Sequence, residues 1–90
     1  MYELTPRYDA RKSFYSKAVV LVNSENATGD EYTKTLLSYQ TPVAAIQADN
    51  KAVVFGLYSA TTTRHIKEFL KQEGFKAESS KQIKADYIKA

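Results

Sequence analysis

The apolar residues of this chain come in short, tight groups, and the longest uninterrupted run covers only Ala18 to Val22. A run that short cannot span a bilayer, which takes about 20 apolar residues, so the chain must bury its apolar surface by bringing several short elements together. Val19, Val20 and Leu21 form one group, Leu36 and Leu37 a second, Val43 and Ile46 a third, Val53, Val54 and Phe55 a fourth, and Ile66, Phe69 and Leu70 a fifth. Ninety residues suffice for one such core and not for two. The reading is therefore one α+β domain over residues 13–90, preceded by an N-terminal tail at residues 1–12, where Pro6, Asp9 and mixed charges show no period beyond one helical turn near residues 9–12.

The β-branched content around Ala18–Val22 predicts a first, well-buried strand over residues 16–23. Asn23, Ser24, Asn26, Gly29 and Asp30 are turn formers and mark a surface loop, which also carries the acidic cluster Glu25, Asp30 and Glu31. Strand character returns over residues 32–40, pauses at Thr41 and Pro42, and resumes to residue 47; because proline within a strand implies an edge, a bulge or a break, the expectation is one bent strand. Asp49 and Asn50 tolerate positive φ and predict a tight hairpin into a strand over residues 51–58, in which Gly56 implies a bulge or a close approach.

Two helices follow. Ser59 serves as the N-cap of a helix over residues 60–73, in which Ile66, Phe69 and Leu70 form an apolar stripe and which Gly74 stops. A shorter helix over residues 81–89 follows Ser79 or Ser80, with Ile83, Tyr87 and Ile88 as its apolar contacts. The expected fold is a small antiparallel β-meander of about three strands packed by one main helix, with a short C-terminal helix.

Several kinds of chemistry are set aside by subtraction. The chain has no cysteine, so no disulfide or thiolate metal site can form; together with an opening segment that lacks a signal-like apolar region, this points to the cytoplasm and away from membranes. The Asn26-Ala27-Thr28 sequon carries no weight in such a chain. There is one histidine, His65, no G-x-S-x-G elbow, and only Gly29, Gly56 and Gly74, too few for a phosphate-cradling loop. The carboxylates Asp49, Glu68, Glu73, Glu78 and Asp86 have no ligand-like grouping, so neither metal nor cofactor is expected and the chain reads as non-enzymatic, with His65 a partly exposed helix residue.

Within the stretch from Tyr58 to Leu70, Tyr-Ser-Ala-Thr-Thr-Thr-Arg-His-Ile-Lys-Glu-Phe-Leu, Ser59, Thr61, Thr62 and Thr63 place four hydroxyls, and Arg64 and His65 two potentially cationic groups, at a helix start. Unpaired backbone N–H groups and the helix dipole attract anions there, so Ser59, Thr61, Thr62, Arg64, His65, Lys67 and Lys71 are the candidate nucleic-acid or anion-binding residues. In the plainer reading, Ser59 caps and the threonines bond locally. Arg64, Lys67 and Lys71 recur at three- and four-residue steps as a basic stripe, and Glu68 is placed to pair with Arg64 and Lys71, as on any amphipathic helix. The net charge of +3 resides in the C-terminal third: residues 1–63 carry six basic and six acidic groups, residues 64–90 seven and four. Seven tyrosines and four phenylalanines leave rings such as Tyr15, Tyr39 and Tyr58 to stand beside basic groups, where they suit stacking on bases or a protein interface equally.

The stretches Arg11-Lys-Ser-Phe-Tyr-Ser-Lys-Ala18, Leu37-Ser-Tyr-Gln-Thr41 and Tyr58 to Leu70 resemble small uncharacterised proteins encoded by phages and mobile elements of low-GC Gram-positive bacteria. The resemblance covers most of residues 8–75 and is most distinctive at the third stretch. It implies a small accessory protein acting inside a bacterial cell, and it brings no catalytic residues to carry over. Two functions fit. In one, the helix start and basic stripe contact nucleic-acid backbone with little sequence selectivity. In the other, the chain is an inhibitor or adaptor that docks on a host or defence protein complex, as anti-CRISPR proteins do, through sheet aromatics and an exposed strand edge. A strand edge near Pro42 is also suited to pairing across a homodimer axis.

Overall fold

The computed structural model describes residues 2–9, 13–14, 16–22, 32–47, 49–56 and 59–88. They form β1 (Tyr2–Glu3), β2 (Ala18–Val22), β3 (Tyr32–Ser38), β4 (Thr41–Gln47), β5 (Ala52–Val54), α1 (Ala60–Gln72) and α2 (Ser80–Tyr87). The strands make one antiparallel meander in chain order, β1-β2-β3-β4-β5. The α+β class and the two helices match the sequence reading; five strands replace the expected three.

One added strand comes from the opening segment. Tyr2 pairs with Val20 and Glu3 with Val19, and the Leu4 amide donates to the Ala18 carbonyl at 2.9 Å. Leu4 is fully buried in the core, so this part of the expected tail is an integral edge of the sheet. Asp9 lies in a bend held against α1; the rest of the helical turn expected near it falls outside the described residues.

The other added strand comes from dividing the expected bent strand. The chain reverses at Tyr39 and Gln40, both left-handed with φ of 51° and 67°, and Ser38 pairs with Thr41 across them. Positive φ at both central residues of a two-residue loop is the type I′ hairpin, whose twist matches that of the flanking strands. Pro42 follows in β4 opposite Leu37, while Leu36 pairs with Ala44, so Val43 is the extra residue of a bulge. The bulge breaks the alternation and turns both Val43 and Ala44 into the core. The Asp49–Asn50 hairpin stands as expected, with Asn50 at φ 64° and its amide on the Gln47 carbonyl at 2.9 Å; β5 is shorter than expected and ends before Gly56.

α1 lies over β3 and β4. Ser59 Oγ accepts from the Thr62 amide at 3.1 Å, and the helix ends in a Schellman motif, with Phe75 N–H on the Leu70 carbonyl and Gly74 N–H on the Lys71 carbonyl. Gly74 supplies the left-handed residue, φ 86°, that this ending requires. Ile66, Phe69 and Leu70 meet Val20, Leu36, Ala44, Ile46 and Val54 in the core, and α2 adds Ile83 from beside β5. Among the described residues no helix is long and apolar enough to cross a membrane.

Candidate functional site

The helix-start residues part company in three dimensions. Ser59 is spent on the cap, and its carbonyl also accepts from Thr63 Oγ1 at 2.8 Å. Thr61 is half-buried in the first turn. Thr62 and His65 turn inward: His65, expected to be partly exposed, is only 1% exposed. Its Nδ1 lies 2.8 Å from Ser38 Oγ, which is 3.1 Å from Thr62 Oγ1. The imidazole is flanked by Phe14, with ring centroids 4.6 Å apart, and by Tyr39, at 5.9 Å. Ser38 is itself buried, so the serine–histidine hydrogen bond lies in the interior of the domain. The three polar groups knot the end of the β3–β4 hairpin to α1.

Arg64, Lys67 and Lys71 stay on the outer side of α1, where with Tyr8, Asp9 and Glu68 they line a recess of about 50 Å³. A space of that size holds little more than a water molecule or two. Arg64 is 3.6 Å from Asp9. Glu68 does not serve as the expected surface partner of Arg64 and Lys71. It is 1% exposed, its Oε1 accepts the Tyr8 and Asp9 amides at 2.8 and 3.0 Å, and its Oε2 accepts from Gln72 Nε2, which also donates to the Thr5 carbonyl. The carboxylate under the stripe therefore straps the opening segment onto the helix, and it lowers the positive field the stripe can offer an anion.

A larger hollow lies on the sheet. Ala18 and Val20 face the core, so Val19 between them points to the other face, where it stands opposite Leu37. Together with Ser16, Lys17, Tyr39 and Gln40 they line a groove of about 450 Å³, within the size range of ligand pockets. Tyr39 is 52% exposed, and Lys17 Nζ stands 5.9 Å from the centroid of its ring. Of the expected exposed rings, Tyr39 is thus found beside a cation; Tyr15 and Tyr58 lie outside the described residues.

The backbone of this groove is unusual. Ser16, Tyr39 and Gln40 all have positive φ without being glycine, a conformation that costs L-residues roughly 1–2 kcal/mol each. Sequence reasoning missed Ser16, Lys17, Val19, Leu37 and Gln40 as a group because the turn that assembles them carries no Asn-Gly or Asp-Gly signal. Among the described residues no cluster of three histidine, cysteine or acidic side chains could hold a metal ion.

These residues define a small α+β domain in which a five-stranded meander carries a solvent-facing groove at one end. The chain belongs to a family of unknown function, DUF8033, whose model matches residues 2–85. No curated protein and no solved structure matches it.

Proposed function

We propose that the chain is a non-enzymatic binding domain that docks on a protein partner through the groove between the start of β2 and the β3–β4 hairpin, as an inhibitor or adaptor of a larger host or defence complex. The observation that carries this reading is the turn itself. A two-residue type I′ loop is most stable with Asn-Gly, and here it holds Tyr-Gln, with the tyrosine ring half in solvent over a lysine. Residues held in such sparsely populated backbone conformations cluster at functional sites, and an exposed tyrosine, with few rotatable bonds, anchors a protein surface at low entropic cost. A non-catalytic role is favoured by the enclosure of the only histidine between Phe14 and Tyr39.

The test is a photo-crosslinking side chain placed at Gln40 and, as a control, at Lys84 on the exposed side of α2, in cells that express the chain naturally. A partner captured from position 40, missed from position 84 and lost when Tyr39→Ala is added supports the reading. Equal capture from both positions, or capture that survives Tyr39→Ala, refutes it.

The second reading is contact with nucleic-acid backbone, favoured by the convergence of Arg64, Lys67 and Lys71 on one recess. It predicts binding of labelled single- or double-stranded DNA or RNA that weakens steeply with salt and disappears when the three cations are reversed to glutamate. The Arg64–Asp9 pair and the buried Glu68 carboxylate weigh against it.

A further inference from the structure

We infer that the segment bound in the groove is an extended peptide in which an acidic side chain stands next to a bulky apolar one, a specificity that rests on the docking reading above. The groove is asymmetric. Its floor is aliphatic, made of Val19 and Leu37, which face each other in register across β2 and β3. Its wall is the Tyr39 ring. An apolar side chain entering here buries its surface against three others and gains roughly 25 cal/mol for each Å² removed from water.

The rim supplies the charge preference. Lys17 is the one charged residue among those that line the groove; its ammonium stands 5.9 Å from the Tyr39 ring centroid and has no carboxylate within ion-pair distance among the described residues. Glu3, opposite Val19, brings a carboxylate near the same end of the sheet. Both its oxygens are taken by Ser16, Oε2 by the backbone amide at 3.3 Å and Oε1 by the hydroxyl at 3.0 Å. The Lys17 ammonium is thus left for an incoming anion. Gln40, exposed at the turn, offers an amide that can both donate to and accept from the backbone of an extended segment.

Three capped tripeptides serve as probes: acetyl-Asp-Leu-Phe-amide, its neutral counterpart acetyl-Asn-Leu-Phe-amide and its reversed counterpart acetyl-Lys-Leu-Phe-amide. Each is titrated into the ¹⁵N-labelled full chain and into the Lys17→Glu variant at low salt, with amide shifts followed by NMR. Lys17 is exposed, so the variant retains the dispersed spectrum of the folded chain. The expected result is that the aspartyl peptide moves the amides of Val19, Leu37, Tyr39 and Gln40 with an affinity about tenfold above that of the asparaginyl peptide, and that Lys17→Glu transfers the preference to the lysyl peptide. Equal affinity of the aspartyl and asparaginyl peptides overturns the acidic specificity and leaves the docking reading intact. If none of the three moves those amides, the peptide inference falls, and the crosslinking from Gln40 separately decides whether the groove docks a partner at all.

Discussion

Single residues hold this fold where the sequence leaves least warning. Glu68 looks in sequence like the acidic member of a mixed-charge helix face, yet its carboxylate is buried and gathers two backbone amides and the Gln72 side chain. Removing it leaves the part-buried Tyr8 and Asp9 amides without their acceptor, while Gln72 keeps its bond to the Thr5 carbonyl. Glu68→Ala is expected to lower the unfolding free energy by about 3 kcal/mol in urea denaturation, and Glu68→Gln, which keeps an acceptor, by less. Gly74 offers the opposite case, since its role was readable. A methyl group there meets no atom within 4 Å, so Gly74→Ala tests backbone conformation alone. With φ at 86° the substitution should cost about 1 kcal/mol. A loss of several kcal/mol in the same measurement would mean that the Schellman ending is coupled to the core.

At the level of elements, what was legible followed from periodicity and from strong punctuation. The stripe of Ile66, Phe69 and Leu70, the Ser59 and Ser79 caps and the Gly74 stop put both helices within about two residues of their observed bounds, the usual scatter for helix ends. Asp49–Asn50 marked its hairpin because Asn accepts positive φ. The Tyr39–Gln40 hairpin was invisible for the same physical reason read in reverse: neither residue favours the left-handed region, and Pro42 nearby offered a plausible bend instead. The N-terminal strand was invisible because β1 contributes only Tyr2 and Glu3, too short for any alternation to register. The candidate site was legible in part, through Tyr39 alone, since Val19 and Leu37 lie far apart in sequence and meet only through register. If the hairpin does carry strain for the sake of its side chains, relieving it must stabilise the chain. Gln40→Gly, at an exposed position, should raise the unfolding free energy by about 1 kcal/mol and the melting temperature by about 4–8 °C, read by circular dichroism. No gain would show that the turn is already relaxed and would remove the main support for the groove.

Across the whole molecule, the sheet and the helix layer are tied by more than the apolar core. The Ser38–Thr62–His65 knot joins them at one end. At the other, Lys34 on β3 reaches Glu73 at the end of α1, with Nζ 2.9 and 2.8 Å from the two carboxylate oxygens, and it also stands 6.0 Å from the Tyr2 ring centroid. The Glu73 hydrogen bond holds the Lys34 pKa above its ordinary 10.5, against the opposing effect of burial. Because the folded value is raised, the stabilisation is fully present below the unfolded pKa and disappears as pH rises through the folded one. Tyr87, whose hydroxyl donates to the Lys76 carbonyl at 2.8 Å, is raised from 10.0, first by burial and then by the Asp86 charge, so it loses stabilisation in the same alkaline direction. Lys34→Met keeps the aliphatic stem and removes only the charge. At pH 8 the variant should be less stable than the native chain by about 1 kcal/mol, the upper end of the range for surface pairs, since the two side chains are only 30% and 17% exposed. The gap should close as the native lysine loses its proton above pH 10.5, while Tyr87→Phe leaves that closure in place and flattens the remaining alkaline decline. Denaturant unfolding of the native chain, the two single variants and the double variant at successive pH values reads this directly: a gap that persists unchanged into strong alkali would mean that the Lys34 charge is not its source and that the ion pair to Glu73 contributes nothing to holding helix on sheet.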